Sequence, residues 1–221
     1  MTPQSRLNWS PPPSPPLAPA TGTWCGIAPI APAHAPALQA AWDSDGFTYL
    51  PYGPFDDACA VAAWGAGFLP TGVQMFSVLT NGRPVGVLSY LRINPPVGTI
   101  EIGHIHFGRD LVRTPAATEA VYLLAARAFD QGYRRLEWKC DAANAASCRA
   151  AVRLGFRPEG IHRQAAVVKD RNRDTAWFSI LDSEWPAVRD ATQRWLTPEN
   201  FDASGRQKAA LSQMTAALIA S

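Results

Sequence analysis

Arg113, Thr114 and Pro115, followed by the small residues Ala116, Ala117 and Thr118, stand where an alternating stretch gives way to a long run of helical spacing. Thr114 is a good N-cap, and Pro115 suits the first helical position because its missing N–H is one the helix would leave unpaired anyway. The amides of Ala116 to Thr118 carry only small side chains or a hydroxyl. An anion can therefore reach free N–H groups and the positive end of the helix dipole. Arg113 adds a guanidinium beside them, and Leu111 and Val112 complete the loop that enters the turn. These residue types in this order read as a cradle for a phosphate-bearing cofactor, although an ordinary capped helix has the same first turn.

The chain that must position this loop has 221 residues, 47% hydrophobic and 17% charged. That is enough for one full-sized domain with a core and tails, and cramped for two. A net charge of +2 and a pI near 8.4 do not by themselves indicate nucleic-acid binding. The charge is unevenly spread: residues 134–173 carry ten basic and four acidic side chains, a net of +6, which leaves −4 elsewhere. A basic concentration after the cradle suits a polyanionic small molecule, and a solvated face has the same composition. A nucleic-acid reading lacks interleaved exposed aromatics and ranks last. No apolar run reaches a membrane span and no secretory signal opens the chain, so a cytoplasmic protein without membrane contact is expected. Cys25, Cys59, Cys140 and Cys148 are scattered without a CxxC pair, which argues against a disulfide framework and against a metal site.

Seven of the twenty prolines fall in the first 20 positions. Residues 1–22 are accordingly expected to be a flexible or extended tail, 23–201 the domain, and 202–221 a C-terminal helical tail. A first strand over Trp24–Ile30 precedes helices around Ala33–Trp42 and Phe55–Phe68, separated by the aromatic loop Phe47–Pro54, which could wall a pocket or pack on the core. Val73–Thr80 and Pro84–Ile93 flank Asn81-Gly82, a strong type I′ hairpin signal, and Thr99–Phe107 completes an antiparallel meander. The helix Pro115–Gln131, stopped by Gly132, leads to a strand at Arg135–Cys140 in a β-α-β crossover. A helix over Asn144–Leu154 is capped by Asn144 or Ser147, and strands at Ile161–Lys169 and Thr175–Leu181 bracket the polar turn Asp170–Arg173. Ser183 is expected to cap a helix carrying Val188, Ala191 and Trp195, and a weaker helix with Leu211, Met214 and Leu218 ends the chain.

This order of elements resembles the GNAT acetyltransferase superfamily. The segments Glu101-Ile102-Gly103-His104, Arg113–Ala120, Glu137–Asp141, Asn144–Ser147 and Leu154-Gly155-Phe156 are similar to its RimJ/RimL-type branch. The resemblance covers about 24–201 and implies an α+β fold with a mixed, mostly antiparallel sheet, two splayed parallel central strands and flanking helices. It further implies that the loop before the central helix binds the pyrophosphate of acetyl-CoA through backbone amides, usually with the pattern Q/R-x-x-G-x-G/A. Here that pattern falls on Val112 to Ala117, with Pro115 at the central glycine, so one amide contact is lost and Arg113 is placed to compensate. The pantetheine arm is expected between Thr99–Phe107 and Arg135–Cys140. Asn144 matches the family residue that contacts it, and Ser147 and Arg149 are placed for the nucleotide and its 3′-phosphate.

Acetyl transfer by this route needs a neutral amine, a donor to the developing oxyanion and an acid for the departing thiolate. An α-amine needs less help than a lysine, since about a tenth of it is neutral at pH 7 against well under a thousandth. Glu101 is the first candidate for the base, with His104 and His106 as alternatives that alternation puts on the opposite face unless a bulge intervenes. The family's usual acidic tyrosine position falls on Ala151. Ser179, on the last strand, is the substitute donor. The resemblance implies transfer from acetyl-CoA, without a metal, to a primary amine, first a peptide or protein N-terminus. A small amine such as a polyamine or antibiotic, or a non-catalytic acyl-CoA-binding module, are the other readings, and a homodimer through the last helix is compatible with all three.

Overall fold

The computed structural model describes residues 7–219, so 1–6 of the proline-rich tail and 220–221 of the C-terminal tail lie outside it. In chain order the elements are β1 (Ala20–Thr21), β2 (Gly26–Pro29), α1 (Ala35–Ala41), α2 (Ala58–Ala66), β3 (Gln74–Thr80), β4 (Arg83–Asn94), β5 (Thr99–Phe107) and α3 (Pro115–Asp130). There follow β6 (Arg135–Asp141), α4 (Ala145–Arg153), β7 (Arg157–Val168), β8 (Arg171–Leu181), α5 (Trp185–Leu196) and α6 (Leu211–Ile219). The strands form one sheet in the order β1-β2-β3-β4-β5-β6-β8-β7, in which β5 and β6 are parallel and the other neighbours antiparallel.

Local chemistry accounts for most element ends. Asn81 and Gly82 turn the β3–β4 hairpin at φ 51° and 76°, as a type I′ turn requires. Thr114 Oγ1 accepts from the Ala117 amide at 3.3 Å and Asn144 Oδ1 from the Ser147 amide at 3.0 Å, so both helices start where their caps stand. The second helix starts at Ala58 because Asp57 caps it, its carboxylate accepting from Ala60 N at 2.8 Å. Three expectations are corrected. The last hairpin turns on Lys169 and Asp170 alone, at φ 49° and 60°, so Arg171 to Arg173 are strand residues rather than turn. Its first strand begins at Arg157, four residues before Ile161, because Pro158 and a bulge before Gly160 interrupt the alternation without ending the pairing. Ser183 does not cap α5; Glu184 stands at that position, accepting from Leu181 N and pairing with Arg157 at 2.9 Å.

The sheet divides two cores. Ile27, Phe76, Leu88, Tyr90, Ile100 and Ile102 face the larger one with Ala120, Leu124 and Ala128 of α3 and Val188 of α5. On the other face Met75 and Val87 meet Ala35 and Leu38 of α1 and Val61 of α2. One buried charge is structural: Glu119 of α3 accepts the amides of Thr23, Trp24 and Cys25 at 2.6–2.8 Å and so fixes the turn into β2. The described parts of both terminal segments lie on the domain. Trp9 Nε1 donates to Gly132 O, Gln74 Nε2 to Pro15 O and Arg127 to the carbonyls of Pro16 and Pro19, while Leu211 and Thr215 of α6 are fully buried.

Candidate active site

β5 and β6 pair through three residues only, Thr99 with Arg135, Ile100 with Leu136 and Glu101 with Glu137. Beyond that rung they part, although β5 continues to Phe107 against β4 and β6 to Asp141 against β8. The result is a wedge in the middle of the sheet, held on each bank by a full antiparallel neighbour, whose facing backbone groups have no ladder across the gap.

A bulge redirects the histidines. Glu101 opposes Leu91 and Gly103 opposes Ser89, but His106 opposes Val87, so β5 carries one extra residue between Gly103 and His106. His104 sits in that bulge at φ 49°. The extra residue moves His106 to the face of Glu101, which settles the question that alternation left open. His106 is buried, stacked on Trp42 at 4.6 Å and against Phe47 at 4.1 Å. His104 is half-buried, its Nδ1 3.1 Å from the Tyr52 hydroxyl and its ring against Phe68. Burial pushes both imidazoles down to about 4, with Lys139 adding to the effect on His104, so both are neutral at pH 7.

The segment between α1 and α2 spans the wedge as a strap. Phe47 packs over His106 of β5, Tyr49 donates its hydroxyl to Ala143 O just past β6 at 3.2 Å, and Lys169 from the β7–β8 turn donates to Phe47 O and Gly53 O at 2.9 and 3.2 Å. Outside it lies a cleft of about 390 Å³ lined by Trp42, Asp43, Phe47, Phe55 and Arg109.

Glu101 occupies the last paired rung before the wedge and is 3% exposed. Its Oε2 lies 3.3 Å from Arg92 Nε and 3.3 Å from Lys139 Nζ. Two cations thus share this one buried oxygen. Burial raises the carboxyl to about 7, against the opposing pull of Lys139 and Arg92 and with help from the neighbouring Glu137. Arg92 reaches this position from a bulge of β4, at φ 50°, and both cations lie over the Trp177 ring at 5.0 and 5.2 Å. Glu137 pairs with Arg135 at 2.8 Å, and Arg135 in turn holds Glu159 through two bonds of 2.6 Å. Ser179 opposes Glu137 on β8, but its hydroxyl donates to Glu159 Oε1 at 2.7 Å, so it supports this network rather than pointing a free donor at the wedge. Ala151 is fully buried in the larger core, and the nearest phenol to the bulge is Tyr52 of the strap.

The cradle lies at the open end of the wedge. The amides of Leu111 and Val112 turn back to Gly108 O at 2.9 and 3.1 Å, and that of Thr114 to Leu111 O at 3.2 Å. Leu111 itself is fully buried, while Val112 is exposed. Arg113 adopts φ 65°, and among the described residues its amide and that of Ala116 find no backbone acceptor, while Ala117 is held only by the long bond to Thr114. Thr118 is buried, its hydroxyl accepting from Arg153 at 2.9 Å, so its side chain ties α3 to α4. On the opposite bank Asn144 caps α4, Ser147 accepts from Trp138 Nε1 at 3.1 Å, and Arg149 is exposed. The structure thus brings Glu101 and His104 to one face of the wedge and the free amides of Arg113 and Ala116 to its mouth.

Arg92, Lys139, Glu137 and Tyr52 have no assigned role in the sequence reading. The signal for two of them was present: Arg135, Glu137 and Lys139 alternate on a central strand where the exposed-face positions of a buried sheet are normally apolar.

A family model described as an acetyltransferase (GNAT) domain matches residues 26–157. The ribosomal-protein-serine acetyltransferase of Escherichia coli (strain K12) is 31% identical over 117 residues, 50% of this chain and 63% of that enzyme, so the match spans less than two thirds of its length. The crystal structure of a GCN5-related N-acetyltransferase from Brucella melitensis superposes with a TM-score of 0.91 at 43% identity, covering 95% of this chain and 99% of that one. A probable acetyltransferase of the GNAT family from Chromobacterium violaceum ATCC 12472 gives 0.80 at 42% identity, covering 85% and 98%. With the bulged strand, the wedge and the cradle all inside the matched region, this chain belongs to the GNAT acetyltransferase family.

Proposed function

We propose that the protein transfers the acetyl group of acetyl-CoA directly to a primary amine, first of all the α-amine of a peptide or protein N-terminus, with Glu101 as the base. The observation that carries this reading is the Glu101 carboxylate, buried at the edge of the wedge, raised to about 7 by that burial and flanked by Arg92 and Lys139, each 3.3 Å from one of its oxygens. A base of this strength beside the wedge takes a proton from an amine, directly or through a water, efficiently near neutral pH.

The residues present suit acetyl-CoA. Facing strand groups without a ladder can take up the amide-rich pantetheine arm as a strand would, the free amides of Arg113 and Ala116 with the Arg113 guanidinium suit the pyrophosphate, and exposed Arg149 suits the 3′-phosphate. Asn144 and Ser147 form the second bank, and Leu111, Val112, Thr114, Ala117 and Thr118 shape the first. The cosubstrate supplies an activated acyl group and a stable thiolate leaving group. Neutral His104, hydrogen-bonded to Tyr52, is a second polar group beside the same face, and Lys139 and Arg92 hold the Glu101 carboxylate ionisable despite its burial. The four cysteines, none of them in a disulfide, suit a reducing compartment such as the cytoplasm.

The preference for an α-amine rests on its lower pKa and on the likeness to an enzyme named for acetylating a ribosomal-protein serine. A competition assay tests it: one peptide with a free N-terminus and an internal lysine is incubated with acetyl-CoA near pH 7, and the modified nitrogen is located by mass spectrometry. Acetylation of the α-amine is expected. Modification of lysine alone, or of a polyamine in preference to any peptide, would overturn the acceptor assignment.

A further inference from the structure

Two of the four thiols lie together. Cys140, near the end of β6, and Cys148, in the second turn of α4, have their sulfurs 3.5 Å apart and are not bonded. Cys25 instead donates to Ala116 O, and Cys59 stands exposed on α2. The Cys140–Cys148 pair joins the outer bank of the wedge to the helix whose first turn carries Asn144 and Ser147. Ser147 Oγ, between them in sequence, is held by Trp138 of the same strand at 3.1 Å. Cys140 is 7% exposed, whereas Cys148 is half-buried and so accessible to a small oxidant.

We infer that Cys140 and Cys148 form a site of reversible thiol oxidation, closing to a disulfide that ties α4 to β6 beside the cofactor wedge. The oxidant is a hydroperoxide. The Cys148 thiolate attacks one peroxide oxygen, which breaks the O–O bond, leaves Cys148 as a sulfenic acid and releases an alcohol or water. The Cys140 sulfur then attacks the sulfenic sulfur, the S–O bond breaks, its oxygen leaves as water with the Cys140 proton, and the S–S bond forms. Burial holds the Cys140 thiol up, and Cys148 is the more exposed of the two sulfurs, which assigns the first step to Cys148.

A disulfide needs its sulfurs at about 2.05 Å, so closure draws Cys148 toward β6 by roughly 1.5 Å. Ser147 and Asn144 are in the same helical start and move with it. The second bank of the wedge is thereby displaced, and coenzyme affinity falls several-fold. This consequence rests on the acetyl-CoA reading; the thiol chemistry does not.

Trypsin cuts after Lys139 and Arg149, so residues 140–149 leave as one peptide with both thiols. The folded protein is treated with hydrogen peroxide, alkylated, digested and weighed, with and without subsequent dithiothreitol. The expected peptide is lighter by two hydrogens, refuses alkylation, and recovers both thiols on reduction. Full alkylation of both cysteines, or irreversible oxygen addition to Cys148 alone, would overturn the site. In Cys140→Ser the peptide is expected to retain a sulfenic acid that dimedone traps, a readout that does not depend on activity. Calorimetry of CoA with reduced and oxidised protein separates the two claims. Closure with unchanged affinity overturns the coupling to the wedge, whereas no binding even to reduced protein overturns the acetyl-CoA reading and leaves the thiol site standing.

Discussion

Replacing Glu101 by Gln tests burial and chemistry in one variant. Glu101 is 3% exposed and its carboxyl is raised from 4.5 to about 7 chiefly by that burial. The folded protein thus binds this proton more tightly than the unfolded chain. The group's contribution is fully present below about pH 4.5 and is lost as pH rises through about 7. At about 1.36 kcal/mol per pH unit, forcing the ionised form on the folded state costs about 3 kcal/mol. Gln carries no such cost at any pH. Urea unfolding of both proteins should give a stability difference, variant minus wild type, that rises by about 3 kcal/mol between about pH 4 and pH 8, with all other titrating groups cancelling. Over the same range the variant should lose roughly 10²–10⁴-fold in turnover while binding CoA as before, as expected for a lost base. A difference that stays flat with pH would refute the burial argument. Full turnover in a folded variant would refute the catalytic one.

Charge reversal in Arg113→Glu removes the guanidinium beside the free cradle amides, and CoA affinity measured by calorimetry should fall about tenfold or more with the fold unchanged in circular dichroism; unchanged affinity would remove the cradle from the account. Lys139→Met takes away the largest influence that holds the Glu101 carboxyl down, so the acid limb of the kcat/KM profile should move above about 7, and Lys139→Arg should restore it. His106 has a depressed imidazole under Trp42 and Phe47, so its share of stability is present above 6.5 and lost as pH falls through about 4; His106→Phe should flatten that part of the unfolding profile, and an unaltered profile would contradict its buried neutral state.

What the sequence revealed was what local chemistry controls. Asn81-Gly82, the Thr114 and Asn144 caps, and Gly132 at φ 93° after α3 act over a few residues, and the splayed pair was expected through the family resemblance that the order of elements and its motifs carry. The bulge at His104 was not readable, because β5 keeps its alternation on both sides and only the pairing with β4 shows the extra residue. Arg92 is hidden for the same reason: its φ of 50° at a second bulge carries a residue near the end of β4 onto a carboxylate of β5. Ser179 was placed on the right strand and face, but its commitment to Glu159 depends on a bulge of β7 that Pro158 and Gly160 disguise as a loop. The start of α3 followed from its Thr114 cap, whereas which of the loop amides before it are already engaged depends on Gly108 O, six residues before Thr114. Contacts across strands decide these positions, and spacing along the chain does not record them.

The account turns on whether acetyl-CoA lies with its phosphates on the cradle and its arm in the wedge. Isothermal titration of acetyl-CoA into the protein, beside desulfo-CoA, adenosine 3′,5′-bisphosphate and ATP, tests this directly. Binding that is tight for the two ligands carrying a pantetheine arm and weak for the two without one is the predicted result. Equal affinity for all four would mean that the wedge contributes nothing, and no heat from acetyl-CoA even at millimolar concentration would contradict the central claim.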